Sequence, residues 1–233
     1  AHDFNNILSV ILGNISLVKM YVKPDDEKLQ KSLNDAEHAI LRAKDLTQQL
    51  LTFSRGGSPA KTTSAIQSVL KASCRFAVTG SNTQCEFDLP GDLLPVDIDA
   101  GQINQVLHNV VINAQQAMSD GGTIHIKAEN IVSSEQMAKQ GLVMNQGEYI
   151  KIVIQDNGVG IPPENIGKIF DPYFTTKEQG SGLGLATSHS IIKKHGGHIS
   201  VESLQGKGTT FSIYLPASSR VIEREQLNGK PAS

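Results

Sequence analysis

The hydrophobic rhythm of this 233-residue chain changes once, and the break falls at Arg55-Gly56-Gly57-Ser58-Pro59. Before it, apolar residues recur at helical steps; beyond it, short alternating runs interleave with helical ones. Glycine and proline together end any helix that enters such a cluster, so the chain divides there. We expect a helical hairpin over 1–57, a mixed α and β unit over 58–216, and a polar tail or linker over 217–233.

In the first helix, Phe4, Ile7, Leu8, Ile11, Leu12, Ile15, Val18 and Val22 form one apolar stripe. Pro24 breaks it, and Asp25 or Asp26 is placed to cap the next helix. There Leu29, Leu33, Ala36, Ile40, Ala43, Thr47 and Leu50 keep steps of four and three, a heptad seam with one polar member. A lone hairpin of this size buries too little surface to be stable. A second copy would complete a four-helix bundle, so the expected assembly is a homodimer.

In the second part, Ser64–Val78 predicts a short helix, and Thr83–Leu89 and Pro95–Ile98 alternate as strands. Asp99 caps a helix running to about Met118. Gly121-Gly122 turns into a strand with Ile124, Ile126 and Ala128 on one face, and residues 131–147 read as a long loop or insertion. Glu148–Gln155 carries Ile150, Ile152 and Ile154. A helix from Leu183 to His195 and two strands joined at Gln205–Gly208 close the unit near Pro216.

Composition removes several functions. A net charge of −2 creates no field for nucleic acid, and 5% aromatic residues with no tryptophan offer no stacking platform. Cys74 and Cys85 make neither a disulfide framework nor a zinc site, and read as thiols of a reducing compartment. No apolar run nears the roughly 18 residues that span a bilayer, and no signal-peptide pattern is present. The expected setting is cytoplasmic. A first residue Ala1 rather than Met reads as a fragment.

Ten of the 21 glycines fall between Asp156 and Gly208, which points to backbone approaching a ligand or to a hinged loop. Gly180-Ser181-Gly182-Leu183-Gly184-Leu185 precedes a helix, where free amides suit phosphate oxygens. It is no Rossmann loop, because the residues before it, Asp171 to Lys177, make no core strand. Gly206-Lys207-Gly208 lacks the Ser or Thr of a Walker A loop. On the 99–118 helix, at about 100° per residue, Gln105, Asn109 and Asn113 line up opposite the apolar face, with Gln116 nearby. Carboxamide oxygens are hard ligands for Mg²⁺. A ligand row, an Asp after a strand and a glycine loop describe a pocket for Mg²⁺ and a nucleotide.

From Ala1 to about Pro216 the chain resembles the catalytic core of sensor histidine kinases of two-component signalling. Asn109 to Ala114 resembles the N box, Asp156-Asn157-Gly158-Val159-Gly160 the G1 box, Phe170 to Lys177 the F box, and Gly180 to Leu185 the G2 box. The four occur in the family's order. Ala1-His2-Asp3-Phe4-Asn5-Asn6 resembles the H box, which gyrase and chaperone ATPases lack. The fold class implied is α+β: a helical hairpin forming a dimeric four-helix bundle, then an α/β sandwich of Bergerat type.

The resemblance implies roles. Asn113 supplies a Mg²⁺ ligand, supported by Asn109. Asp156 accepts the adenine amino group, and Gly158 and Gly160 let the backbone pass close to ATP. Lys177 neutralises phosphate, Gly180, Gly182 and Gly184, with Leu183 among them, hinge a lid, and Thr209 reaches the adenine side. Phe170 and Phe174 anchor the lid by packing, and Ile112 packs near the purine. His2 is the phosphoacceptor, Asp3 its general base, and Asn6, one turn on, assists dephosphorylation of a response-regulator receiver domain. His195 and His198 read as a helix-to-strand turn rather than a metal site, and His38, His108, His125 and His189 as surface or packing residues. Two other readings remain at this point: a nucleotide-binding scaffold without catalysis, and an ATPase clamp without a phosphohistidine.

Overall fold

A computed structural model describes residues 2–23, 26, 28–37, 40, 59–134, 144–177 and 180–220, with the backbone alone for residues 2–6 and 9. Helix α1 spans His2–Tyr21, and α2 covers residues 28–37. Asp26 caps α2, its Oδ1 accepting the Leu29 N–H at 3.1 Å, and Lys19 of α1 pairs with Glu37 of α2. Leu8 is buried, but Ile7, Val10, Ile11 and Leu17 stand exposed on α1. Of the expected seam, Leu29 is exposed and Leu33, Ala36 and Ile40 half-buried; Ala43, Thr47 and Leu50 lie outside the described residues.

The remaining elements are β1 (Thr62–Ser64), α3 (Ile66–Ala77), β2 (Thr83–Asp88), β3 (Val96–Ile98), α4 (Ala100–Ala117), β4 (Gly122–Val132), β5 (Glu148–Asp156), α5 (Pro163–Ile166), α6 (Gly184–Lys194), β6 (His198–Leu204) and β7 (Gly208–Pro216). Five strands form a mixed sheet in the order β2-β4-β5-β7-β6, with β2 and β4 parallel and the other pairs antiparallel. β1 and β3 make a separate antiparallel pair.

Alternation decides which sheet face is buried. Ile124, Ile126 and Ala128 of β4, Ile150, Ile152 and Ile154 of β5, and Phe211, Ile213 and Leu215 of β7 all point to one core. α4 packs between α3 and α6, and its stripe Ile103, Val106, Leu107, Val110, Val111 and Ala114 is buried against that core. The opposite side of α4 is thereby left free to carry polar groups.

The structure differs from expectation at Ser64, at residues 131–132, which extend β4 rather than open a loop, at α5, and past Pro216. Ser64 ends a strand rather than starting a helix, because the pairing of residues 62–64 with β3 draws them out before α3 begins at Ile66. The backbone also stays bonded past Pro216: the Ala217 N–H donates to Glu148 O and the Ser218 N–H to Pro95 O. These two residues belong to the folded unit rather than to a tail.

Asp99 is the cap of α4, its Oδ1 accepting the Gln102 N–H at 3.2 Å. Its own N–H donates to Nε2 of His195 at 3.0 Å, while Nδ1 of that ring lies 2.8 Å from Ile191 O. The imidazole, 3% exposed, is therefore neutral with its proton on Nδ1, and it ties the end of α6 to the start of α4. Burial pushes it below its ordinary pKa of 6.5. Below that pH the unfolded chain binds the proton first, so stability is full above about 6.5 and declines as pH falls through the window beneath it. His195→Gln keeps a donor and an acceptor but does not titrate. We expect a shallower loss of stability between about pH 6.5 and 5, read by denaturant unfolding. His189 and His198, also depressed by burial, leave a residual slope.

Candidate functional site

The end of β5 turns under the polar side of α4, and this juncture builds the site. Asp156 is the last residue of β5 and only 3% exposed. Its Oδ1 accepts the Gly158 N–H at 2.9 Å and the Thr209 N–H at 3.2 Å. Both bonds fall on one oxygen, and Asp156 lines a pocket together with Thr209. Burial raises the carboxyl pKa above its ordinary value, and the two N–H donors oppose that shift. The Thr209 hydroxyl shares a hydrogen bond with Ser203 at 2.9 Å.

Gly158 and Gly160 have packing reasons of their own. A Cβ on Gly158 would sit 2.6 Å from the Ala117 carbonyl oxygen, and one on Gly160 would sit 2.4 Å from the Leu204 carbonyl oxygen. Their missing side chains let the loop close against α4 and the β6–β7 turn, rather than only opening space for a ligand.

Along α4, Asn109 Nδ2 donates to Gly184 O at 2.9 Å and to Ser188 Oγ at 3.2 Å. That pins the first turns of α6 to α4. One turn on, Asn113 Oδ1 accepts from Lys177 Nζ at 2.8 Å, and Gln116 Oε1 accepts from the same ammonium. Desolvation by the pocket wall lowers the Lys177 pKa. Two carboxamide oxygens thus converge on a cation at the pocket mouth, and the chemistry of this donor set fits Mg²⁺.

The segment Phe170–Gly184 is braced at two points. Phe170 rests against the His189 ring with centroids 5.4 Å apart. Tyr173 has a left-handed backbone (φ 66°), and its N–H donates to Gly182 O at 3.0 Å. Gly182 is itself left-handed (φ 67°), and a Cβ there would lie 2.3 Å from the Tyr173 carbonyl carbon. Only glycine meets both demands. Gly180, Gly182 and Gly184 line the pocket; Leu183 is 1% exposed and packs inward at the start of α6.

Ile112 lines the pocket, joined by Ile161, Ile169, Leu185 and Phe211. Ile161, Ile169 and Phe211 come from separate segments and share no local pattern that the sequence would reveal; Leu185 closes the Gly180–Leu185 motif. They give the polar floor an apolar wall of the kind that receives a planar base. His2, Asp3 and Asn6 start α1, and of these only the backbone is described.

Two family models match this chain. One, histidine kinase-, DNA gyrase B-, and HSP90-like ATPase, covers residues 98–219, more than half of the chain. The other, His Kinase A (phospho-acceptor) domain, covers residues 1–59. The chain belongs to the sensor histidine kinase family. As a member it carries the family's ATP-binding domain in the mixed sheet and its phospho-acceptor domain in the helices. It is 36% identical over 238 residues to sensor kinase CckA of Brucella abortus (strain 2308), covering 100% of this chain and 25% of that protein. It is 35% identical over 219 residues to signal transduction histidine-protein kinase AtoS of Escherichia coli (strain K12), covering 93% and 33%. The chain thus spans a third or less of these two relatives. Among solved structures, histidine kinase ThkA in complex with response regulator protein TrrA matches with a TM-score of 0.64 and 26% identity, over 94% of this chain and 60% of that one. No described helix is long and apolar enough to cross a membrane.

Proposed function

We propose that this sensor-kinase chain is an ATP-dependent protein-histidine kinase core that phosphorylates itself on His2. The phosphoryl group then passes to an aspartate of a response-regulator receiver domain. The observation that carries the reading is one pocket in which a buried carboxylate, a carboxamide row and the Lys177 ammonium converge. It lies in a chain whose other matched region is a phospho-acceptor domain beginning at the H box.

Asp156 selects adenine by accepting its amino group, and Thr209, tied to Asp156, closes the base side. The apolar wall around Ile112 and Ile161 excludes water from the ring. Lys177 meets the phosphates, and Asn109 holds the glycine segment that covers them. Asn113 would hold Mg²⁺, which when bound neutralises charge on the transferring group. A neutral ring nitrogen of His2 attacks the γ-phosphorus, a P–N bond forms, the P–O bond to ADP breaks, and Asp3 takes the ring proton. Asn6, one helical turn from His2, orients water for removal of phosphate from the receiver aspartate.

The apolar residues exposed on α1 support a homodimer through a four-helix bundle. ATP and a receiver partner support a cytoplasmic setting. The division into hairpin and ATP-binding unit near residues 57–58 follows from the same reading.

Incubation with γ-labelled ATP and Mg²⁺ tests the function. The label should leave in acid and persist in base, as a phosphoramidate does. An acid-stable label would place the phosphate on a hydroxyl and overturn the reading.

A further inference from the structure

Lys177 is an exposed residue, yet its ammonium is fixed between two side chains of α4. Its backbone is fixed as well: its N–H donates to Thr175 Oγ1 at 3.1 Å, and its carbonyl accepts the Gly180 N–H at 3.0 Å. Asn113 and Gln116 are three residues apart on α4 and so present both oxygens on one side of the helix. Among the described residues no carboxylate pairs with this ammonium.

The neutrality of the two acceptors has a consequence. A carboxylate would orient the ammonium and cancel its charge. A carboxamide oxygen orients it through a charge-assisted hydrogen bond and leaves the full positive charge in the pocket. The ammonium also occupies the Asn113 oxygen that the reading above assigns to Mg²⁺. When a divalent cation takes that oxygen, Gln116 remains as the acceptor that keeps Lys177 at the pocket mouth.

We propose that Gln116 is a positioning residue for phosphate binding. With Asn113 it holds the Lys177 ammonium as a tethered cation for the phosphates of ATP before a metal ion arrives. The inference rests on the ATP reading and assigns Gln116 a role through Lys177 rather than through the nucleotide itself. Its signature is a contribution to nucleotide affinity that is largest when no divalent cation is present.

The test is calorimetric affinity for a non-hydrolysable ATP analogue, in EDTA and in excess Mg²⁺, for wild type, Gln116→Met, Lys177→Met and the double variant. Methionine keeps length and helix propensity while removing the acceptor or the charge. We expect each single variant to lose about tenfold in EDTA, the scale of one charge-assisted hydrogen bond, and at most about threefold in Mg²⁺. The double variant should be no weaker than Lys177→Met, because Gln116 acts through the lysine. Equal losses in the two conditions would mean a merely structural role, and additive losses would mean direct contact with the nucleotide; either overturns the inference. Gln116→Glu adds an independent arm: it keeps an acceptor but cancels the charge, so the EDTA affinity should also fall. Wild-type affinity in EDTA for Gln116→Glu would overturn it too. Failure of wild type to bind the analogue in Mg²⁺ would overturn the ATP reading itself, and this inference with it.

Discussion

His2→Gln is expected to bind ATP as wild type does and to take up no phosphate from it. Glutamine fits a helix and carries a polar end of similar size, but its amide nitrogen lone pair is delocalised into the carbonyl and is no nucleophile. Loss of a nucleophile removes the covalent step itself, so labelling should fall by at least about 10³-fold. ATP affinity should not move, since the residues assigned to nucleotide contact, from Asn109 to Thr209, all fall within the 98–219 match to the ATPase model. The competing acceptors can be weighed on the structure. His195 is buried with both ring nitrogens engaged, so it offers no free nitrogen to a phosphorus. His189 is partly covered by Phe170. Acid-labile label that survives in His2→Gln would move the phosphoacceptor to another histidine and separate the kinase reading from the H box.

What the sequence disclosed follows the range of each interaction. α4 was legible from Asp99 to Met118 because its cap and its apolar stripe are local, and the structure bears out both. The buried faces of β4 and β5 were legible for the same reason, as every second residue is apolar. β1 was not, since three residues carry no period and only pairing with β3 makes them a strand. α5, a single turn, is too short for a helical rhythm. Within the site, the carboxamide row and Asp156 could be placed because each sits at a fixed point on one element. The contact between Lys177 and Gln116 could not, because those residues are 61 apart and meet only once the chain through Lys177 comes back to α4. The second hydrogen bond to Asp156, from Thr209, depends in the same way on the pairing of β5 with β7.

Asp156→Asn is expected to weaken ATP binding and to strengthen the fold. Asparagine preserves shape, and its Oδ1 can still accept from Gly158 and Thr209. What changes is the carboxyl that lines the pocket: a carboxylate, proposed above as the acceptor for the adenine amino group, becomes an amide that presents N–H donors. Replacing a charged acceptor costs about 1.5–3 kcal/mol, or roughly 10- to 150-fold in affinity. Stability moves the other way. Burial raises the folded-state pKa of this carboxyl above its ordinary 3.8, so the charge is held against its own desolvation. In the interval between the ordinary and the raised value the folded chain binds more protons than the unfolded one. Wild type therefore loses stability as pH rises through that interval. The asparagine variant has no such proton to lose and keeps that stability at neutral pH. Calorimetric ATP affinity and denaturant unfolding from about pH 4 to 7 read the two effects separately. A variant with reduced affinity and raised stability would show a buried carboxylate retained for recognition at the expense of folding. A variant weakened in both would show that the two backbone N–H bonds outweigh desolvation.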